Sequence, residues 1–179
     1  MIFIESKLKG AYLINIEKNK DDRGWFARSF CKKEFEGHTL EFDIVQCSIS
    51  HNKQKGTLRG MHYQNPPYEE HKIISCIKGS IYDVIIDLRK ESETYLKWES
   101  FNLTEENKSM LYVPKGFAHG FLTLQDDTDV YYQMSEYYHP ECVNGLRWND
   151  KVINITWPNF NHPVISKADE NWRQIDDCY

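Results

Sequence analysis

The stretch KIISCIKGSIYDVIIDL, Lys72 to Leu88, decides the fold class. Two β-branched runs flank Lys78-Gly79-Ser80. Branching at Cβ restricts a side chain in a helix and suits it to a pleated surface. Both runs therefore read as strands, and Lys78-Gly79-Ser80 as a hairpin or tight bend between them. Working outward, the same signal recurs at Asp43–Ser50, Lys97–Leu103, Ser109–Val113, Gly120–Leu124 and Asp129–Tyr138. Helical periodicity is scarce. Only CKKEFEGH, Cys31 to His38, has room for about two turns before Gly37 stops it. Many short strands with frequent turns predict an all-β sandwich or barrel. The stretch WNDKVINITWPNFNHPVISKADENW is rich in Pro, Asn and Trp and is expected to wrap that barrel as an ordered tail.

Composition narrows the function classes. The 179 residues suffice for one domain with a substantial core, expected to span 1–179, and carry a net charge of −5. That balance argues against nucleic acid as a partner, since neutralising phosphates takes a basic surface. Small anionic substrates stay open, because positive charge can still collect inside a pocket. The start, MIFIESKLKG, lacks the basic flank and apolar core of a signal peptide. No apolar run reaches the ~20 residues of a membrane span, so no membrane partner is expected. The five cysteines contain no CxxC pair and read as free thiols in a reducing cytoplasm.

Two motifs carry candidate chemistry. LRGMHYQ, Leu58 to Gln64, holds Arg59 and His62, three apart, which an extended strand projects to opposite faces. In PKGFAHGF, Pro114 to Phe121, a Pro114–Gly116 turn feeds a strand along which His119 points. This P-x-G-x-x-H element resembles the second signature of the cupin barrels. Metal-binding cupins add a His-x-His pair and a glutamate, but here the pair reads His62-Tyr63-Gln64. A metal site would have to draw on His62, Gln64, Glu69 or Glu70, and His119. Glutamine is a poor ligand for zinc or iron, so no metal is expected.

In order along the chain stand DDRGWFARSF, QCSISHNKQKGTLRGMHYQ, HKIISCIKGSIYDVIIDLR, YVPKGFAHGF, VYYQMSEYYHP, GLRWND and WP…ISKAD. Together they cover nearly the full length and resemble the dTDP-4-dehydrorhamnose 3,5-epimerase family. The resemblance implies a cupin-type double-stranded β-helix, a jelly-roll barrel with few short helices. It also implies a nucleotide-sugar substrate, no cofactor, and a homodimer whose amino-terminal strands pack across the interface.

The chemistry itself can be stated without the family. A ketone acidifies the neighbouring C–H bonds by letting the carbanion spread onto oxygen as an enolate. Inverting such a centre takes a base on one face, an acid on the other, and a positive donor at the oxygen. His62, with an ordinary pKa near ~6.5, suits the base. The resemblance places the family's catalytic histidine at His62, with Asp169 orienting its ring. It puts the acid at Tyr132, whose neighbour Tyr131 should point away, and the enolate-steadying cation at Lys72. From the residues alone, Lys72 opens a strand and points either inward or out to solvent. Arg23 and Arg59 are natural clamps for a pyrophosphate, since a guanidinium forks onto phosphate oxygens. His119 is expected to complete the sugar pocket, with Gln46 touching the nucleobase and Tyr138 stacked on it.

Three positions depart from the family pattern. Arg28 stands where a glutamate is usual, Val143 occupies an acidic place, and Ala168 replaces a lysine. These changes alter the charge a nucleotide would meet. They leave open a CDP or GDP carrier, inversion at carbon 3 or carbon 5 alone, and a non-catalytic barrel that only binds a nucleotide sugar.

Overall fold

The computed structural model describes residues 1–40, 42–158 and 162–175. Its elements are β1 (Ile2–Glu5), β2 (Tyr12–Asn15), β3 (Asn19–Asp21), β4 (Gly24–Phe26), α1 (Lys32–Gly37), β5 (Gln46–Asn52) and β6 (Thr57–Gln64). There follow β7 (Lys72–Lys78), β8 (Ser80–Asp87), β9 (Trp98–Thr104), β10 (Met110–Val113), β11 (Phe117–Thr123) and β12 (Thr128–Met134). The tail adds β13 (Val143–Gly145), β14 (Val164–Ile165) and α2 (Lys167–Glu170). One sheet runs β1-β2-β10-β7-β12-β5 and the other β13-β6-β11-β8-β9 with β14 beside β6, while β3 and β4 form a separate hairpin. This is a jelly-roll barrel flattened into two facing sheets.

Lys78-Gly79-Ser80 is a bend and not a hairpin. β7 pairs with β10 and β12, whereas β8 pairs with β11 and β9, so the chain changes sheets at Gly79. The bend needs φ +77° at Gly79, and a Cβ there would lie 2.5 Å from the Thr128 hydroxyl. Glycine alone meets both demands.

Strand parity sorts the side chains. Ile74, Cys76, Leu111 and Val130 from one sheet meet Ile81, Ile85, Leu103, Phe117 and Phe121 from the other in the inter-sheet core. Each large apolar side chain so buried contributes roughly 1.5–3 kcal/mol. The residues between them face outward and find other covers. Ile73, Met110 and Tyr112 pack under α1 through Phe35, and Val84, Ile86 and Ala118 under Leu146, Ile153 and Ile175 of the tail. The expected wrapping tail is thus present where it is described; residues 159–161 lie outside. No helix among the described residues is long and apolar enough to cross a membrane.

β6 is the strand that positions the site. On one side it pairs with β11, and on the other with antiparallel β13 and parallel β14. His62 lies opposite His119 and Arg59 opposite Phe121, so β6 spends three residues where β11 spends two. This bulge corrects the expectation that Arg59 and His62 face apart. One extra residue shifts the alternation by half a period, and both side chains border the same cavity while Met61 packs in the outer core. The bulge requires bare backbone: a Cβ on Gly60 would sit 2.6 Å from the Gly120 Cα.

Candidate active site

Near one end of the sandwich the inward positions turn polar and the sheets part around a cavity of about 760 Å³. One sheet contributes Gln46, Ser48, Lys72, Tyr132 and Met134, the other Arg59, His62 and His119. The tail closes the wall with Val143, Ala168, Asp169 and Trp172. Lys72 shares its face with Ile74 and Cys76, which settles its direction. It points inward and is 8% exposed.

His62 Nε2 lies 2.6 Å from Asp169 Oδ1. A carboxylate only accepts, so Nε2 carries the hydrogen, and in the neutral ring Nδ1 then holds the lone pair. Ser166 caps α2 by accepting from the Asp169 backbone amide at 3.0 Å, which fixes where the carboxylate stands. Trp172 Nε1 donates to the same oxygen at 3.2 Å, and the Gly60 amide to the other at 3.4 Å. Burial pushes the Asp169 carboxyl up, but the His62, Trp172 and Gly60 contacts outweigh it and leave the group below its ordinary value. The His62 ring is 39% exposed, open to whatever fills the cavity. It is placed to accept a proton.

The floor is drier. Lys72 Nζ pairs with Glu70 Oε1 at 2.9 Å. Tyr132 meets the His119 ring edge-on, centroids 5.9 Å apart. Burial, then the negative charge of Asp83, raise the Tyr132 phenol far above its ordinary value, so it stays protonated. His119 Nε2 lies 2.8 Å from Asp83 Oδ2, both groups buried. Base, phenol and cation thus line one cavity, the base on one sheet and the other two on the facing sheet.

The rim is built by side chains that are already committed. The Gln64 amide donates to the carbonyls of Tyr68 at 2.9 Å and Tyr137 at 3.1 Å, and its oxygen accepts from the His139 amide at 2.7 Å. That staple holds the segment carrying Tyr138, whose backbone amide donates to Gln46 Oε1 at 3.2 Å. Arg59 is braced through Nε on Asn52 at 2.8 Å. Its terminal amino groups make no hydrogen bond among the described residues.

Arg23 is not brought to this cavity. It stands on the β3–β4 hairpin, largely exposed, and pairs with Asp21. Arg28 likewise stays away, bound to Glu34, so its exchange for a glutamate does not alter the charge of this chain's own cavity. Val143 and Ala168 do border it. Sequence reasoning missed Asp83 and Trp172, and named Glu70 only as an alternative to Glu69 in a metal site. The signal for Asp83 was legible: a lone acid inside the apolar run IYDVII has to be buried with a partner. For Trp172 there was none, since its place depends on contact with Gly145.

Known proteins resemble this chain over nearly its whole length. The profile of the family described as dTDP-4-dehydrorhamnose 3,5-epimerase matches residues 5–177. A protein of that name from Methanothermobacter thermautotrophicus is 40% identical over 97% of this chain and 94% of its own length. The crystal structure of dTDP-4-dehydrorhamnose 3,5-epimerase from Bacillus anthracis, with TDP and PPi bound, superposes with a TM-score of 0.93 at 40% identity, covering 97% of this chain and 99% of that one. A Legionella pneumophila dTDP-6-deoxy-D-glucose-3,5-epimerase in complex with dTDP-4-keto-L-rhamnose gives 0.92 at 33% identity, over 98% and 93% of the chains. With the match running almost end to end through the strands that frame His62, Lys72 and Tyr132, the chain belongs to the dTDP-4-dehydrorhamnose 3,5-epimerase family.

Proposed function

We propose that this protein inverts carbons 3 and 5 of a dTDP-linked 4-keto-6-deoxy sugar, by proton abstraction through an enolate, in deoxy-sugar biosynthesis. The observation that carries this reading is the His62–Asp169 pair opening onto the cavity that Lys72 and Tyr132 line. His62 Nδ1 takes the proton from the carbon next to the ketone. The electron pair moves onto the ketone oxygen, where Lys72 steadies it. Tyr132 then delivers its hydroxyl proton to the opposite face of the same carbon. Asp169 holds the His62 ring and stabilises the imidazolium that forms. No redox cofactor enters, because the ketone itself stores the charge. Arg59 meets the pyrophosphate, while Gln46 and Tyr138 flank the nucleobase.

The chain works as one domain and, in this reading, as a homodimer in the cytoplasm. Exposed Trp25 and Phe26 on the β3–β4 hairpin, at 47% and 77%, support pairing with a second copy. The same hairpin then carries Arg23 toward the neighbour's cavity, where its guanidinium meets the pyrophosphate. Sedimentation of the wild type and of Phe26→Ser tests this, a monomeric wild type overturning it. The described cysteines are unpaired, which suits a reducing compartment.

The deciding experiment is solvent exchange in heavy water with dTDP-4-keto-6-deoxyglucose, with His62→Ala as control. Two deuterons, at carbons 3 and 5, are expected. One deuteron marks a single-centre enzyme, and none refutes the dTDP substrate. The apolar Val143 and Ala168 at the cavity wall favour one second reading, a CDP or GDP carrier, which the same exchange assay tests with those nucleotide sugars.

A further inference from the structure

Beside Tyr132 lies a carboxylate that the reaction scheme leaves without a task. Asp83 sits in the middle of β8 at 0% exposure. Its Oδ2 is bound to His119 Nε2 at 2.8 Å, and its Oδ1 has no hydrogen-bond partner among the described residues. An unpartnered buried oxygen is rare enough to demand a reason.

The surrounding charges fix how many protons the pair holds. Lys72 and Glu70 form an ion pair and cancel, their side chains 11% and 10% exposed. Tyr132 is a neutral phenol. A net charge left on Asp83 and His119 would stand buried without a counter-charge, which proteins avoid. The pair therefore holds one shared proton between Oδ2 and Nε2. Whichever of those two atoms owns it, the ring's remaining hydrogen lies on Nδ1. The free ring nitrogen of His119 is a donor. Burial raises the Asp83 carboxyl above its ordinary value against the pull of His119, in keeping with a shared proton.

We propose that Asp83 is a positioning residue that makes His119 a fixed Nδ1–H donor to the substrate's ketone oxygen, alongside Lys72. This deepens the epimerase reading and rests on it. No proton leaves His119 in the step. The hydrogen bond strengthens as charge gathers on the oxygen, so it acts on the transition state. His62 has the opposite polarity, because Asp169 is saturated by other donors and its ring keeps a lone pair.

Nitrogen-15 NMR of histidine-labelled protein at neutral pH, without substrate, tests the assignment, with His62→Asn and His119→Asn identifying the signals. Nδ1 of His119 is expected to bear a proton and Nδ1 of His62 to be bare. A bare Nδ1 on His119 overturns the proposal. In kinetics, Asp83→Ala should lower kcat about 10²–10³-fold, the scale of a lost oxyanion donor, with KM changed only slightly. Asp83→Asn should retain more, since its amide can donate to Nε2 and keep the hydrogen on Nδ1. Equal losses in the two variants, or a loss confined to KM, overturn it. Because the NMR readout needs no substrate, inactivity of the wild type on the dTDP sugar would sink the functional reading alone.

Discussion

His62 and His119 stand opposite one another on neighbouring strands, each with Nε2 on a carboxylate, at 2.6 and 2.8 Å. The two pairs share residue types and differ in almost everything else. The Asp169 carboxylate is held by a ring, an indole and a backbone amide, and it sits below its ordinary value. Among the described residues the Asp83 carboxylate has His119 alone, one bare oxygen and no solvent, and it sits above. A His–Asp pair therefore has no fixed role. The donors left over for the carboxylate decide whether the histidine is a base or a donor.

The largest blow to this contrast is removal of the base. His62→Asn should lower turnover about 10²–10⁴-fold, with little change in thermal midpoint because the ring is part-exposed. Steady-state rates and a melting curve check both halves, and a loss below tenfold would take His62 out of the chemistry. Lys72→Ala comes next, at about 10²–10³-fold in kcat; single-turnover exchange reads it, and retention of most of the rate would remove Lys72 from the oxyanion.

Gly145→Ala sharpens the comparison from the side of the tail. A Cβ there would lie 2.5 Å from the Trp172 ring, which must then move and carry its hydrogen bond away from Asp169. A stability loss of about 1–3 kcal/mol is expected, together with a fall in kcat larger than that of Trp172→Phe. Urea unfolding and parallel kinetics decide, and an unchanged kcat would show that the tail does not orient the base.

The smallest effect concerns a third histidine, half-buried and with no carboxylate partner among the described residues. His71 stacks on Tyr112, whose hydroxyl is 2.8 Å from Nδ1. Burial, helped by the Lys115 charge, lowers His71 from 6.5 to about 4. Its folded value is depressed, so its contribution is fully present above pH 6.5 and is lost as pH falls from there toward 4. Thermal midpoints between pH 7 and 5 should slope downward in the wild type and flatten in His71→Gln. Equal slopes would mean that His71 is as free to charge in the fold as outside it.

Much of this was readable in advance. The β-branched runs on either side of Gly79 announced strands, and strand parity carried Lys72 inward once Ile74 and Cys76 were known to be core. The helix expected over Cys31–His38 appears as α1. The short strands β1 to β4 escaped notice, since three or four residues give no alternation to count. Arg59 was misjudged because a bulge belongs to a pair of strands, and spacing along one strand cannot reveal it. Arg23 stays outside the cavity of its own chain for a related reason: hairpin reach is set by what the hairpin packs against.

Local sequence was enough for the all-β class and for which residue types could abstract, deliver and steady a proton. Those follow from local sterics and from side-chain chemistry, which travel with each residue. Only the tertiary structure decided that β6 bulges, that the tail brings Asp169 back across 107 positions to His62, and that Asp83 lies dry beneath His119. Burial and hydrogen-bond count are properties of packed neighbours, and it is they that set two identical residue pairs apart.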